Sequence, residues 1–473
     1  MQGQQRRNGP LRSGGRLSGK PRRGPAGRHA AGFLGLTAAV VLAVGGWAGD
    51  DAPNGDYGDY LTWPEMRAQI EALHTRRPDL VELSSLGKTA EGREIPLLKI
   101  SDRVREEEGE PEVLVVGGVH PREQQPQLSL MRFLDELVNG YGTDAALTRL
   151  VNERVLWCVP MLNVDGKVYD FQAGNGKDRG ADWRKNRRRL EGDARGVDLN
   201  RNFLFRWGGF RDYQETWKSA TDRPAGNIYE GPAPLSEPET RALAAFLDRR
   251  PLRAFLDVHS PFRKLYYPPY LLDTEDARFR KLVERMAAAQ ADPYPIQPAR
   301  PGVEPAPRAR SGDTGLTYHH AYYACGIYGV NFEIGLTGRY PPPAAILEEY
   351  GRNVRGALLA FVEGAAELPL RQAGDVRLRG AATDVPPASG AVVQWTPRLD
   401  GKWDYAVLAS PSPQVVVQSE FRLAPGKQGF TLHVAAGARP GDRAPLRLFV
   451  WDRERRRTEI EAELVIARND AAG

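Results

Sequence analysis

The spacing of apolar positions changes several times along this chain, and each change predicts an element. Val113 to Val116 is an aliphatic run too short for a helix, and Val155 to Leu162 is another, so both read as buried strands. Phe255 to Asp257 extends a short apolar strand that ends in His259. Gly329 to Phe332 does the same and ends in Glu333. Val81 to Leu86 and Ile95 to Ile100 are predicted to pair around a turn at Gly92. Helical spacing takes over elsewhere: Met66, Ile70 and Leu73 within Glu65 to Leu73, then Leu128 to Val138, Asp276 to Ala291, Thr314 to Cys325 and a long closing helix from Ala344 to Glu363. Ser236 is placed to cap a further helix, with Pro238 in its first turn and Glu239 completing a capping box. Tyr169 to Arg195 is polar and rich in Arg and Gly, predicting a long surface loop, and Asp292 to Arg310 reads as irregular. Strands alternating with helices predict an α/β fold with a central mixed β-sheet flanked by helices.

From about Arg371 the pattern turns to short alternating segments between Pro and Gly turns: Ala391 to Trp395, Tyr405 to Leu408, Gln414 to Phe421, Phe430 to Val434, Leu446 to Trp451 and Glu459 to Ile466. This predicts a small C-terminal all-β sandwich. The expected organisation is a basic tail with a signal peptide or N-terminal anchor (1–49), a linker (50–59), a catalytic domain (60–368) and the β-sandwich domain (371–473).

Composition changes the picture at the N-terminus. The chain has 473 residues, 41% hydrophobic and 26% charged, as expected of a globular protein. Its net charge of +5 is misleading, because residues 1–30 carry eight Arg and Lys and no acid, which leaves the remainder at −3. A nucleic-acid partner therefore loses its main support. Ala30 to Gly49 is uncharged and apolar, about the ~20 residues that span a bilayer. A basic stretch before an apolar one predicts export, with the body secreted, periplasmic or held at the membrane by the N-terminus. Only Cys158 and Cys325 occur, so one disulfide or two thiols are open. Neither reads as a metal ligand.

The candidate chemistry sits at strand ends. In residues 113–124, VLVVGGVHPREQ, two glycines let the chain turn out of the sheet and deliver His120 and Glu123 as H-x-x-E. His259 and Glu333 occupy the same kind of position, where open α/β sheets build their sites. Two His and one Glu with an open fourth position form a catalytic zinc arrangement, leaving Glu333 as acid/base. Asp198 is a candidate acceptor for the outer N–H of a ligand histidine.

At this point the motifs resemble a known family. HPRE at His120, NVDG at Asn163, WRKNR at Trp183, GVDLNRNF at Gly196, DVHS at Asp257 and NFEIG at Asn331 occur in the order of the zinc carboxypeptidases of the carboxypeptidase A type. EGRxI at Glu91 and GPAPLSEPET at Gly231 add to the likeness, which runs from about Tyr60 to Glu363. The resemblance implies one Zn2+ per chain on His120, Glu123 and His259, with Glu333 as general base. It makes Arg184 the electrophile over the scissile carbonyl, and Asn200 and Arg201, with Arg122 nearby, the clamp on a substrate's terminal carboxylate. The physics agrees: an Arg aimed at a developing oxyanion stabilises the transition state, and Arg with Asn reads a planar carboxylate.

Two departures from the family stand out. No tyrosine occurs near Arg310 to Gly312, where a mobile tyrosine is usual, which leaves Tyr318, Tyr322 or Tyr323 as substitutes. Tyr270 stands where a glycine is common, and Tyr318 and Asn331 fall near the side-chain pocket. No pro-domain separates the apolar segment from the catalytic start, so no zymogen is expected. The substrate class implied is a peptide with a free C-terminus, or a cell-wall muropeptide. The related zinc N-acyl amino acid deacylases share part of the pattern, but NVDG, WRKNR and GPAPLSEPET favour carboxypeptidases. A non-catalytic relative is disfavoured because ligands and base are all retained.

Overall fold

An eight-stranded sheet forms the centre of the molecule, in the order β1-β2-β4-β3-β5-β8-β6-β7. Its strands are β1 (Val81–Lys88), β2 (Glu94–Ile100), β3 (Glu112–Val116), β4 (Val155–Val159), β5 (Leu252–His259), β6 (Lys264–Tyr266), β7 (Ile296–Gln297) and β8 (Tyr328–Glu333). The computed structural model describes residues 51–107, 109–205, 207–208, 223–268, 273–297 and 315–370, and beyond them strands and short connections between 372 and 466. β3 runs parallel to both β4 and β5, and β5 parallel to β8. β1 with β2, β2 with β4 and β6 with β8 are antiparallel, so the sheet is mixed as expected. Val113 to Val116 are buried throughout, which is why this strand reads as an unbroken aliphatic run. The chain passes from β3 to β4 on one side and then to β5 on the other. A crevice therefore opens beyond the carboxyl ends of β3 and β5, where such sheets bind ligands.

The helices are α1 (Trp63–Arg76), α2 (Gln124–Gly140), α3 (Ala145–Glu153), α4 (Val164–Gln172), α5 (Pro238–Arg249), α6 (Asp273–Ala288), α7 (Pro343–Glu349) and α8 (Arg355–Gly364). α1 buries the expected Met66, Ile70 and Leu73 together with Trp63, and Thr62 and Glu65 form its capping box. The closing helix is not continuous, because a π turn at Tyr350–Val354 separates α7 from α8. The helix expected from Thr314 is a short turn, Thr317–His319, running into a π turn, His320–Ala324.

Three expectations need correction. Ser236 does not cap α5: Glu237 occupies the N-cap position without a side-chain bond to the helix, and Ser236 instead meets Asn202 Nδ2 at 2.9 Å and Glu237 Oε1 at 2.7 Å. Glu239 is drawn away from any capping box by the Ala90 N–H at 3.1 Å and Asn186 Nδ2 at 3.1 Å. The predicted surface loop begins as the end of α4 and then dives inward, with Lys185 and Asn186 buried. In the Gly-, Asp- and Pro-rich stretch before α1, Tyr57 and Tyr60 are buried, and the Tyr57 hydroxyl donates to the Phe171 carbonyl at 2.9 Å.

The C-terminal part holds two larger sheets. One joins Thr383–Val385, Arg456–Ile466, Arg443–Trp451, Tyr405–Ala409 and Arg422–Leu423 in that order, with Gln372–Ala373 beside Arg456–Ile466. The other is antiparallel: Val392–Trp395, Phe430–Val434 and Val415–Val417. Ala406 to Ala409 and Leu448 to Trp451 are buried throughout, whereas Ala444, Leu446 and Leu448 alternate with less buried neighbours, and Thr383–Val385 and Gln372–Ala373 pair in parallel with Arg456–Ile466. Cys158 and Cys325 are both buried and form no disulfide. The N-terminal 1–49 segment, Tyr270 and the Arg310 to Gly312 stretch lie outside the described residues.

Candidate active site

The chain leaves β3 through Gly117 and Gly118. Gly118 has φ +63° and lies so close to Met161 that a Cβ would collide with it, which accounts for glycine there. The turn places His120 and Glu123 just before α2, and β5 ends on His259. One ligand atom from each of the three lies within 4.8 Å of the others, and all three residues are buried. The two Nδ1 atoms face each other at 3.2 Å. Glu123 brings Oε1 to 2.8 Å from His120 Nδ1 and Oε2 to 3.1 Å from His259 Nδ1. The outer ring nitrogens are also matched. His120 Nε2 lies 3.1 Å from Asp198 Oδ1, and His259 Nε2 lies 2.9 Å from Asp257 Oδ2 and 3.3 Å from Asn200 Nδ2.

This donor set fits a zinc ion. Two imidazole nitrogens and a carboxylate converge on one point, and each histidine is oriented from behind by a further carboxylate. Burial works against charge on Glu123, yet His120 and His259 hold its carboxyl well below the usual range. Burial likewise opposes charge on His259, and Asp257 and Glu123 outweigh it, raising its pKa well above the ordinary value. A zinc ion held by His120, Glu123 and His259 would take the place of the protons these groups share.

Around this cluster stand the groups expected to act on substrate. β5 and β8 pair in parallel with His259 opposite Glu333, so both side chains leave the sheet on one face. Oε2 of Glu333 is buried with no hydrogen-bond partner among the described residues. Burial pushes this carboxyl up to about 7, with the charge of Glu123 adding to the effect and His259, the Phe262 N–H and Arg184 opposing it. Arg184 donates from Nε to Asp198 Oδ2 at 2.8 Å and reaches 3.9 Å from Glu123 Oε1. Burial disfavours its charge, but Asp198, Glu123 and Glu333 more than compensate.

The segment carrying Arg184 is sewn to the Asp198 segment: the Asn186 N–H donates to the Val197 carbonyl at 2.9 Å, and the Val197 N–H to Asn186 Oδ1 at 2.8 Å. Asn200 and Arg201 follow on a 3-10 turn, with Arg201 Nη1 donating to the Asn200 carbonyl at 2.6 Å. Arg122 is buried beside Asp182, 3.5 Å away. Burial and the repulsion of Arg184 and Arg339 push its pKa down. Of the eight predicted site residues, His120, Glu123 and His259 come together, Asn200 reaches His259, Arg184 reaches Glu123 and Glu333 lies opposite His259, while Arg201 follows Asn200 and Arg122 lies beside Asp182.

Some contributors were not foreseen. Asp257, two residues before His259 on the same strand, shares its face, and that period-two spacing was available to read. Thr317 donates its N–H to Asn200 Oδ1 at 3.1 Å and also meets Asp257, a link between distant segments with no local signal. As for a substitute mobile tyrosine, Tyr322 is buried with its hydroxyl 3.1 Å from Glu275 Oε2, and Tyr323 is buried and stacked on Phe205 at 4.5 Å. Both are fixed in the core.

Comparison with known proteins bears directly on this site. Residues 66–356 match the family model described as zinc carboxypeptidase, which is more than half of the chain. A zinc carboxypeptidase from Saccharothrix mutabilis subsp. capreolus is 37% identical over 158 residues, covering 33% of this chain and 35% of that protein. Human carboxypeptidase B is 29% identical over 294 residues, covering 60% of this chain and 65% of its own length. The chain thus spans less than two thirds of these relatives. Bovine thrombin-activatable fibrinolysis inhibitor, solved in complex with tick carboxypeptidase inhibitor, superposes with a TM-score of 0.53 at 25% identity, covering 65% of this chain and 98% of that one. With a zinc-type donor set at the carboxyl end of a mixed sheet and a family match running across all of it, the chain belongs to the zinc carboxypeptidase family.

Proposed function

We propose that this chain is an exported zinc-dependent carboxypeptidase that hydrolyses the last peptide bond of a peptide with a free C-terminus. Its catalytic domain is taken as residues 60–368 and the β-sandwich domain as 371–473. Export rests on the basic and then apolar sequence of residues 1–49. The observation that supports the chemical reading is Glu333 paired opposite His259, its Oε2 buried and without a hydrogen-bond partner among the described residues.

His120, Glu123 and His259 would hold the zinc. When bound, it supplies Lewis acidity and brings the pKa of a water down to about 7. Glu333 takes a proton from the attacking water and later gives it to the leaving amine. A carboxyl balanced near neutrality suits both halves of that task, and such proton transfer contributes about 10²–10⁴-fold. Arg184, fixed by Asp198, places a permanent positive charge where the carbonyl oxygen gains negative charge. Asn200 and Arg201 hold the terminal carboxylate of the substrate, with Arg122 contributing nearby.

The test is Glu333→Ala. Zinc should remain bound at one per chain while kcat falls by about 10²–10⁴-fold. Turnover at the wild-type rate in that variant would remove Glu333 from the reaction.

A further inference from the structure

The family match ends at residue 356, so the C-terminal strands lie outside it. They nevertheless press on the part of the catalytic fold that carries the proposed carboxylate clamp. Trp451, the last residue of the strand Arg443–Trp451, is buried, with 1% of its surface exposed. Its indole lies directly against Gly326, so close that a Cβ on that glycine would collide with it. Gly326, at φ +69°, is the turn between the π turn His320–Ala324 and β8, which ends on Glu333. Arg457, on the next C-terminal strand, pairs with Asp248 of α5 at 3.3 Å.

The same segment touches the clamp on its other side. The Phe203 N–H donates to the Gly315 carbonyl at 3.1 Å, and the Gly315 N–H to the Phe205 carbonyl at 2.8 Å. The His320 ring packs on Phe203 at 5.5 Å. Burial, helped by Arg447 and Arg457 of the C-terminal strands, pushes the His320 pKa down to about 3, so this imidazole is a neutral packing group. The Thr317 N–H then holds Asn200 Oδ1 at 3.1 Å, and Asn200 Nδ2 lies 3.3 Å from His259 Nε2. Residues 315–326 are thus a wedge between the C-terminal strands and the clamp.

We infer that the C-terminal β module braces the substrate-carboxylate side of the active site, with Trp451 as a positioning residue that acts through Gly326 and the Thr317–Ala324 segment on Asn200. This rests on the reading of Asn200 as part of the carboxylate clamp.

The experiment compares full-length, zinc-loaded proteins on a peptide with a free C-terminus. Trp451→Ala should raise KM about tenfold, since small misplacements of a binding group are costly, with kcat and zinc content held. Trp451→Phe keeps an aromatic wedge and should keep a near wild-type KM. In an Asn200→Ala background, which raises KM by itself, Trp451→Ala should add nothing further, because the two act on one contact.

An unchanged KM in Trp451→Ala, or a full additional rise in the Asn200→Ala background, overturns the brace. An unchanged KM in Asn200→Ala alone overturns the clamp reading, and the brace falls with it. Should Trp451→Ala not fold, Trp451→Leu is read in its place alongside the thermal midpoint. A lowered midpoint without a KM change then marks a purely structural role and contradicts the inference.

Discussion

Asp198 grips Arg184, with Nε to Oδ2 at 2.8 Å. The other oxygen of the same carboxylate faces His120 Nε2 at 3.1 Å. One buried acid therefore orients both His120, the proposed zinc ligand, and Arg184, the proposed transition-state cation, tying the position of one to that of the other.

Replacing that acid tests the tie. Asp198→Asn keeps the shape but loses the charge that both partners need. Zinc affinity should fall by about 10–100-fold, as is usual when the group behind a ligand histidine is changed. Competition with a chelator reads this directly. Since Arg184 loses its partner in the same step, kcat of the fully zinc-loaded variant should also drop. Full kcat at saturating zinc would separate the two roles and leave Asp198 with the histidine alone.

The clamp makes a different forecast. Arg201→Ala removes a charged hydrogen-bonding group, and such bonds are worth about 1.5–3 kcal/mol. Steady-state kinetics should show KM higher by roughly 10–100-fold, with zinc content unchanged. Arg201→Lys should recover only part of that loss, since an ammonium does not present the planar fork of a guanidinium.

Stability should carry a pH signature from Glu239. Burial raises its carboxyl from 4.5 to about 7, with Glu237 nearby adding to the effect and hydrogen bonds from backbone N–H groups opposing it. The two carboxylates face one amide, Asn186 Nδ2, at 2.8 and 3.1 Å. The folded protein holds a proton on Glu239 that the unfolded chain gives up at lower pH. Its contribution to stability is therefore complete below about 4.5 and is lost as pH rises through about 7. Denaturant melts from pH 4.5 to 8 should show part of this decline, and Glu239→Gln should flatten it. An unchanged slope in the variant would assign the pH dependence to other groups.

Much of the site is legible in the sequence. His120 and Glu123 follow a buried strand, His259 and Glu333 end one, and parallel strands of one sheet deliver their ends to one edge, so strand pattern alone brings them near each other. Asp257 shares that pattern, and its spacing from His259 puts it on the same face. Glu239 was misassigned because the capping-box spacing is local, whereas Asn186 and Ala90 reach it from far along the chain. The contacts of Thr317 with Asn200 and of Trp451 with Gly326 are silent in the sequence, because a tertiary contact of that kind leaves no periodicity. The break in the closing helix at Tyr350–Val354 is equally silent, since a π turn keeps an apolar face much like that of the α-helix around it.

The most direct measurement pairs two peptides of one sequence, one ending in a free carboxylate and the other in an amide, with products followed by mass. The account predicts that the zinc-loaded protein removes a single C-terminal residue from the acid and leaves the amide intact. Equal rates on the two, or cleavage inside the chain, would contradict it.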